Sequence, residues 1–362
     1  MTSRLLCGWL LVGSWAVAFA QETDPRIGKL AEKAIGFLAV KQEADGSFSP
    51  QAGPGITAMV TAAILGHGRS PDDPVVAKAL KHLETFVQED GSIAKSDSFH
   101  KNYETCLAML AFSAANRGGK YDALLKKAEA YAKGIQWDES EEKKKSDIEY
   151  GGAGYGRSKR PDLSNTSFFL DALKSTGNGA DSEAIQRAMV FVSRCQNLET
   201  EHNTTPFAAK NPDGGFYYTP VGDSGNSQAG LAENGGLRSY GSMTYAGLKS
   251  MIYAGVKQDD PRVKAAIAWL QKNYDLKSNP GMGQAGLFYY YQTQAKALAA
   301  GKFKELTDDK GVKHDWRKEL VDELASRQKE DGSWVNETPR WMEGDANVAT
   351  SYALFALANC AK

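Results

Sequence analysis

The chain has few of the residues that staple, metallate or anchor a protein. Of its four cysteines, Cys7 falls within the first twenty residues, leaving Cys106, Cys195 and Cys360. An odd count in a chain long enough to bury a large core unaided argues against a disulfide framework. Three buried thiols are expected, with one bridge as the alternative. The five histidines (His67, His82, His100, His202, His314) show no ligand spacing, so no metal site and no cofactor is expected. Neither sign of charge dominates, with 43 Lys and Arg against 44 Asp and Glu. Without a phosphate-neutralising excess, nucleic acid is not expected as a partner. Period-two alternation is nowhere sustained, which leaves little room for sheet.

Long apolar runs are also missing after the first twenty residues. The single such run, Leu5 to Phe19, follows Arg4 and ends in Ala18-Phe19-Ala20. A charge, an apolar stretch and a small-residue ending make an export signal. Residues 1–20 are therefore expected to be cleaved, leaving 21–362 as one secreted or periplasmic domain with no membrane span.

What the chain does have is a repeat. Five segments carry a Thr followed six residues later by a small residue: Thr57, Thr105, Thr166, Thr244 and Thr350. Tyr291 stands in the same register with Ala297-Leu298, and the steps between the six are 48, 61, 78, 47 and 59 residues. Each segment reads as a helix, and before each lies a second helix, such as Val75, Val76, Ala79, Leu80 and Leu83 behind Asp72-Asp73-Pro74. Asp before Pro before an apolar run is a helix start here and behind Asp259-Asp260-Pro261, rather than a metal pair. A glycine turn joins the two helices, as in Gly46-Ser47-Phe48, Gly91-Ser92-Ile93, Gly214-Gly215-Phe216 and Gly332-Ser333-Trp334. One hairpin cannot bury both faces of its helices, so six must stack, and six can close as a ring within a ring. The expected fold class is all-α, an α/α toroid.

Gln328 to Trp334, with Leu324 four residues ahead, resembles the Gln-Trp motif of squalene-hopene and terpene cyclase repeats. Leu38, Gln42, Gly46 and Phe48 repeat it with Phe for Trp. The resemblance runs from about Ile27 to Cys360, to the prenyltransferase and squalene cyclase repeat superfamily, and it too implies an α/α toroid. It also implies where the catalytic groups of its two enzyme branches would lie. Class II cyclases use the third position of an Asp-x-Asp-Asp-Thr run as proton donor, and the matching run here is Asp162-Leu163-Ser164-Asn165-Thr166. A hydroxyl at Ser164 is far too weak an acid to make a carbocation. Zinc prenyltransferases need Asp, Cys and His where this chain has Ala285, Leu287 and Ala349.

The candidate acids are therefore displaced ones, Asp162, Glu104 and Asp345, all preceding or opening inner helices; the plainer reading makes them helix caps. Candidate ligand contacts gather at the same end: Tyr155, Arg157, Asn165, Tyr240, Tyr245, Tyr290, Tyr291, Trp341 and Asn347. The long segment 197–239, with Phe216-Tyr217-Tyr218, is expected to form an ordered lid or rim. If the ring closes, these residues wall a central pocket, the alternative being that the aromatics fill it.

The resulting expectation is an exported repeat protein that binds an apolar or amphipathic small molecule or extended chain in a central cavity, without the usual cyclase or zinc chemistry. A noncanonical isomerase or lyase using one of the three carboxyls is the enzymatic alternative. A scaffold whose loop or outer face docks a protein partner, or a glycan-handling toroid, is the third.

Overall fold

The computed structural model describes residues 24–156, 160–222 and 225–362; residues 1–20, expected to be an export signal, and Arg157 lie outside them. Thirteen α-helices follow in chain order among the described residues: α1 Arg26–Lys41, α2 Pro54–Gly66, α3 Pro74–Glu84, α4 Lys101–Ala115, α5 Asp122–Lys133, α6 Leu163–Ser175, α7 Glu183–Arg194, α8 Pro206–Lys210, α9 Gly241–Tyr253, α10 Pro261–Lys272, α11 Leu287–Ala300, α12 Trp316–Arg327 and α13 Ala346–Cys360. Two strands of two residues each, Leu306–Thr307 and Lys313–His314, pair antiparallel in a surface hairpin.

Composition decides which helices go inside. Residues Pro54 to Leu65 of α2 are all buried, so that helix needs partners on every side. α3 buries only Val76, Ala79, Leu80 and Leu83, a single stripe, and belongs outside. The inner helices α2, α4, α6, α9, α11 and α13 pack each on the next, and α13 packs back on α2. The outer helices flank them, with α1 packing on both α13 and α12 to close the seam. The molecule is an α/α toroid.

The repeat residues hold this arrangement through specific bonds. At the glycine turn, the N–H groups of Phe48, Ile93, Ala153, Phe216 and Trp334 donate to the hydroxyls of Thr57, Thr105, Thr166, Thr244 and Thr350, at 2.9–3.0 Å. In four of the repeats a glutamine then ties the turn to the next outer helix, whereas Gln88 of the second repeat donates to the carbonyls of Phe86 and Ala94. Gln42 donates to the carbonyls of Gly46 and Val75, Gln136 to those of Gly151 and Ala184, and Gln196 to those of Gly214 and Arg262. Gln328 does the same to Gly332 (3.0 Å) and Leu30 (2.9 Å), which joins the last repeat to the first. The fifth repeat lacks both Thr and Gln, and the Tyr290 and Tyr291 hydroxyls substitute by donating to the carbonyls of Asp275 and Leu276.

Asp73 and Asp260 cap α3 and α10, accepting from the N–H groups of Val75 and Arg262. Cys106, Cys195 and Cys360 are free and buried. The long segment is ordered where described. Tyr217 packs with Phe207 and Leu237 as a small core of its own, and its hydroxyl donates to the Arg194 carbonyl at 2.5 Å. The Tyr218 carbonyl receives the Leu163 N–H, clasping the segment to the start of α6.

Candidate functional site

Helical phase fixes which residues face the ring axis. Counted from the repeat Thr, positions two before, two after and five after share one helix face. Contacts between helices that are not ring neighbours identify that face as the inward one. The Ser164 hydroxyl of α6 meets the Tyr289 hydroxyl of α11 at 3.0 Å, and the Tyr103 hydroxyl of α4 lies 3.5 Å from Tyr352 of α13. Four rings close a circuit across the axis: Tyr103 on Phe168 (centroids 5.1 Å), Phe168 on Tyr289 (6.1 Å) and Tyr289 on Tyr352 (5.7 Å). Tilted and edge-to-face rings at such distances attract.

This circuit fills the middle of the ring, where the sequence leaves a central pocket and aromatic filling as alternatives. The middle layer, Met59, Leu107, Phe168, Ala246, Thr293 and Tyr352, is buried all round. Above it Tyr103, Ser164 and Tyr289 keep part of their surface exposed, and below it Leu110, Lys296 and Phe355 do. The axis is therefore plugged at its middle by aromatic rings, and its two ends, where inner-face residues stay partly exposed, are termed the N-terminal and C-terminal wells.

The well at the N-terminal ends of the inner helices holds Asp162. This residue caps α6, one carboxylate oxygen accepting from the Asn165 N–H (2.8 Å) and the other from the Asn165 side-chain amide (2.7 Å). The Tyr218 hydroxyl approaches the same carboxyl, and Tyr155, Tyr240 and Tyr289 lie within its electrostatic reach. Burial pushes the carboxyl up to about 6, against the opposing hydrogen bonds from Asn165 and Tyr218. Tyr155 and Tyr218 are themselves half-buried, so the cluster reaches the well surface.

The other candidate acids serve local partners. Glu104 is buried in the first turn of α4, where Ser98 donates to it at 2.9 Å and Gly53 leaves room for it. Burial raises its pKa. Asp345 caps α13 and accepts the Ser49 hydroxyl at 2.6 Å, while Asn347 donates to that same hydroxyl oxygen at 3.0 Å. Asp345 and Asn347 thus lock the seam between the sixth and first repeats.

Three candidate tyrosines turn away from the axis. Tyr290 and Tyr291 bond the loop ahead of α11 as described, and the Tyr245 ring packs tilted against that of Tyr290 with centroids 5.8 Å apart. Trp341 is 44% exposed on the rim, beneath the Arg340 guanidinium. Arg157 lies outside the described residues.

Tyr289 and Tyr103 reach the axis, although neither stood among the candidates. Both sit two residues before the repeat position, the register shared with Ser164, and that offset was available to find them. Glu343 had no such signal. Fully buried, it accepts the N–H groups of Phe288 (3.2 Å) and Tyr289 (2.7 Å), capping α11 of the fifth repeat from the loop before α13. Among the described residues no group of His, Cys, Asp and Glu converges as metal ligands, and no helix is long and apolar enough to cross a membrane.

No family model matches the sequence, and no curated protein matches it either. Solved structures do. An apo structure of a variant of the type II terpene cyclase MstE from Scytonema superposes with a TM-score of 0.56 at 14% identity, covering 93% of this chain and 97% of that one. A second apo structure of MstE gives 0.36 at 12% identity over 93% and 98%. A third, bound to its substrate geranylgeranyl dihydroxybenzoate, gives 0.36 at 13% identity over 93% and 97%. At such identity the first likeness establishes a terpenoid cyclase-like fold and nothing finer.

Proposed function

We propose that the mature protein is an exported binding protein that takes the apolar part of an amphipathic ligand into the N-terminal well and does not cyclise it. The observation that carries this reading is the state of the acid beside the well. Protonating an alkene requires a carboxyl more acidic than usual, and the surroundings of Asp162 push it the other way, to about 6. At the position of the cyclase proton donor, Ser164 is engaged with the Tyr289 hydroxyl. The well instead offers half-buried tyrosine rings with hydroxyls at their edges, which suits a ligand with an apolar body and a polar end.

Protein purified from its secreted or periplasmic fraction without detergent should carry extractable lipid detectable by mass spectrometry, and farnesol should raise its melting temperature. Tyr289→Ala should abolish the farnesol response. No bound lipid together with no shift by farnesol would defeat the proposal. Amino-terminal sequencing of the same material should begin at Gln21.

One observation favours the isomerase or lyase reading: a buried carboxyl near pH 6 can both give and take a proton at neutral pH. That reading gains if Asp162→Asn ends the conversion of a polyprenyl substrate while farnesol still binds.

A further inference from the structure

The position five residues after the repeat Thr faces the axis in every repeat and should be apolar. Ala62, Leu110 and Phe355 conform, but the other three repeats place Asp171, Lys249 and Lys296 there. These three come from α6, α9 and α11 and converge. Lys249 Nζ lies 2.7 Å and Lys296 Nζ 2.9 Å from one oxygen of Asp171. Lys249 also donates to the Ser167 carbonyl at 3.3 Å, and its side chain is 1% exposed.

Two ammonium groups sharing one carboxylate leave an uncompensated positive charge below the plug. A buried ion pair is retained at little cost only when its charges balance and its hydrogen-bonding groups are satisfied. The first condition does not hold here; of the second, Asp171 Oδ1 is buried without a close donor, although the Tyr253 hydroxyl approaches the carboxyl. The charged groups acting on Lys249 are Asp171 and Lys296, and burial with the second ammonium nearby lowers its pKa to about 8. It therefore stays mostly protonated at neutral pH.

The cluster is reachable from outside. Lys296 keeps 16% of its side chain exposed, and Leu110, Lys174, Tyr253 and Phe355 around it are half-buried. The floor of the well is the buried middle layer, so the opening is at the C-terminal ends of the inner helices. The amine of Lys362, at the end of the chain, feels Lys296 as well. Helix carbonyls at this face disfavour anions only within the last turn, and Lys296 lies one full turn before Ala300, the last residue of α11.

We propose that this C-terminal well is a binding site for a small organic carboxylate, whose charge is taken by Lys296, with Lys249 held on Asp171 behind it, and whose apolar part lies against Leu110, Tyr253 and Phe355. The excess of ammonium over carboxylate calls for an anion, and the half-buried apolar and aromatic walls call for a carbon skeleton rather than a bare ion. The site does not depend on the N-terminal well having a ligand, because the plug separates the two.

Hexanoate, titrated at constant ionic strength with sodium chloride and inorganic phosphate as controls, tests this by calorimetry and thermal melts. Hexanoate should bind saturably and raise the melting temperature. Lys296→Met, a change at a partly exposed position that leaves a neutral Lys249–Asp171 pair, should weaken it ~10-fold or more. Asp171→Asn, which removes the competing carboxylate, should tighten it. Equal responses to hexanoate and chloride in the native protein, or no difference between native and Lys296→Met, would overturn the proposal. A response to phosphate with none to hexanoate would overturn the assignment to carboxylates.

Discussion

At the scale of single residues, burial decides what each polar group does. The folded-state pKa of Asp162 is raised, so the folded protein holds its proton to higher pH than the unfolded chain does. Its contribution to stability is therefore complete below about pH 4 and is lost as pH rises through 6. A shift of about two units corresponds to roughly 3 kcal/mol. Glu104 and Glu343 are shifted in the same direction, so the comparison that isolates Asp162 is with Asp162→Asn, which still caps the helix. Over pH 4 to 6 the melting temperature of the native protein should fall relative to that variant, and parallel profiles would refute the assignment. The repeat threonines are equally specific. Thr244→Val strands the buried N–H of Phe216 and should cost about 1–3 kcal/mol in urea unfolding. These threonines were legible in the sequence because their spacing recurs. Which of Tyr289, Tyr290 and Tyr291 faces the axis was legible only by carrying over the repeat offset of Ser164, because consecutive helical residues point about 100° apart.

At the scale of elements, each hairpin depends on a glycine turn pressed against the next outer helix. Gly332 has φ +93, and a Cβ there would lie 2.3 Å from the Lys33 carbonyl oxygen. Gly177, after α6, has φ +88 but open space around it. Gly177→Ala should cost about 1 kcal/mol, the strain of a left-handed alanine. Gly332→Ala should cost several times that in the same unfolding assay, because a backbone atom cannot step aside, and similar costs for the two would contradict this account. The glycine turns and aspartate caps were readable from local sequence, since turn and cap chemistry acts over a few residues. The glutamine links were only partly so. Gln196 lies far from Gly214 in the chain, and the inserted segment hides the motif that Gln328 and Gln42 display.

At the scale of the molecule, closure makes the first and last repeats neighbours. Asp24 acts electrostatically on Cys360, and α1 packs on α13, so the described chain ends lie together. A circular permutant that joins them by a short glycine-serine linker and opens the exposed Asp309–Lys310 turn should fold, with a helical circular dichroism spectrum and a cooperative melt. Loss of either would mean that the α1 seam requires the native connection.

Repeat number, helix class and the order of inner and outer helices were determined by the sequence alone, and closure of the ring was allowed by it. They follow from apolar periodicity, caps and glycine turns, whose physics is local and is repeated six times. Tertiary structure alone decided that the ring's centre is plugged and that a carboxylate and two ammonium groups meet beneath the plug. Those outcomes depend on side chains from helices far apart in the chain filling one narrow axis, where the space left by each residue is set by the others.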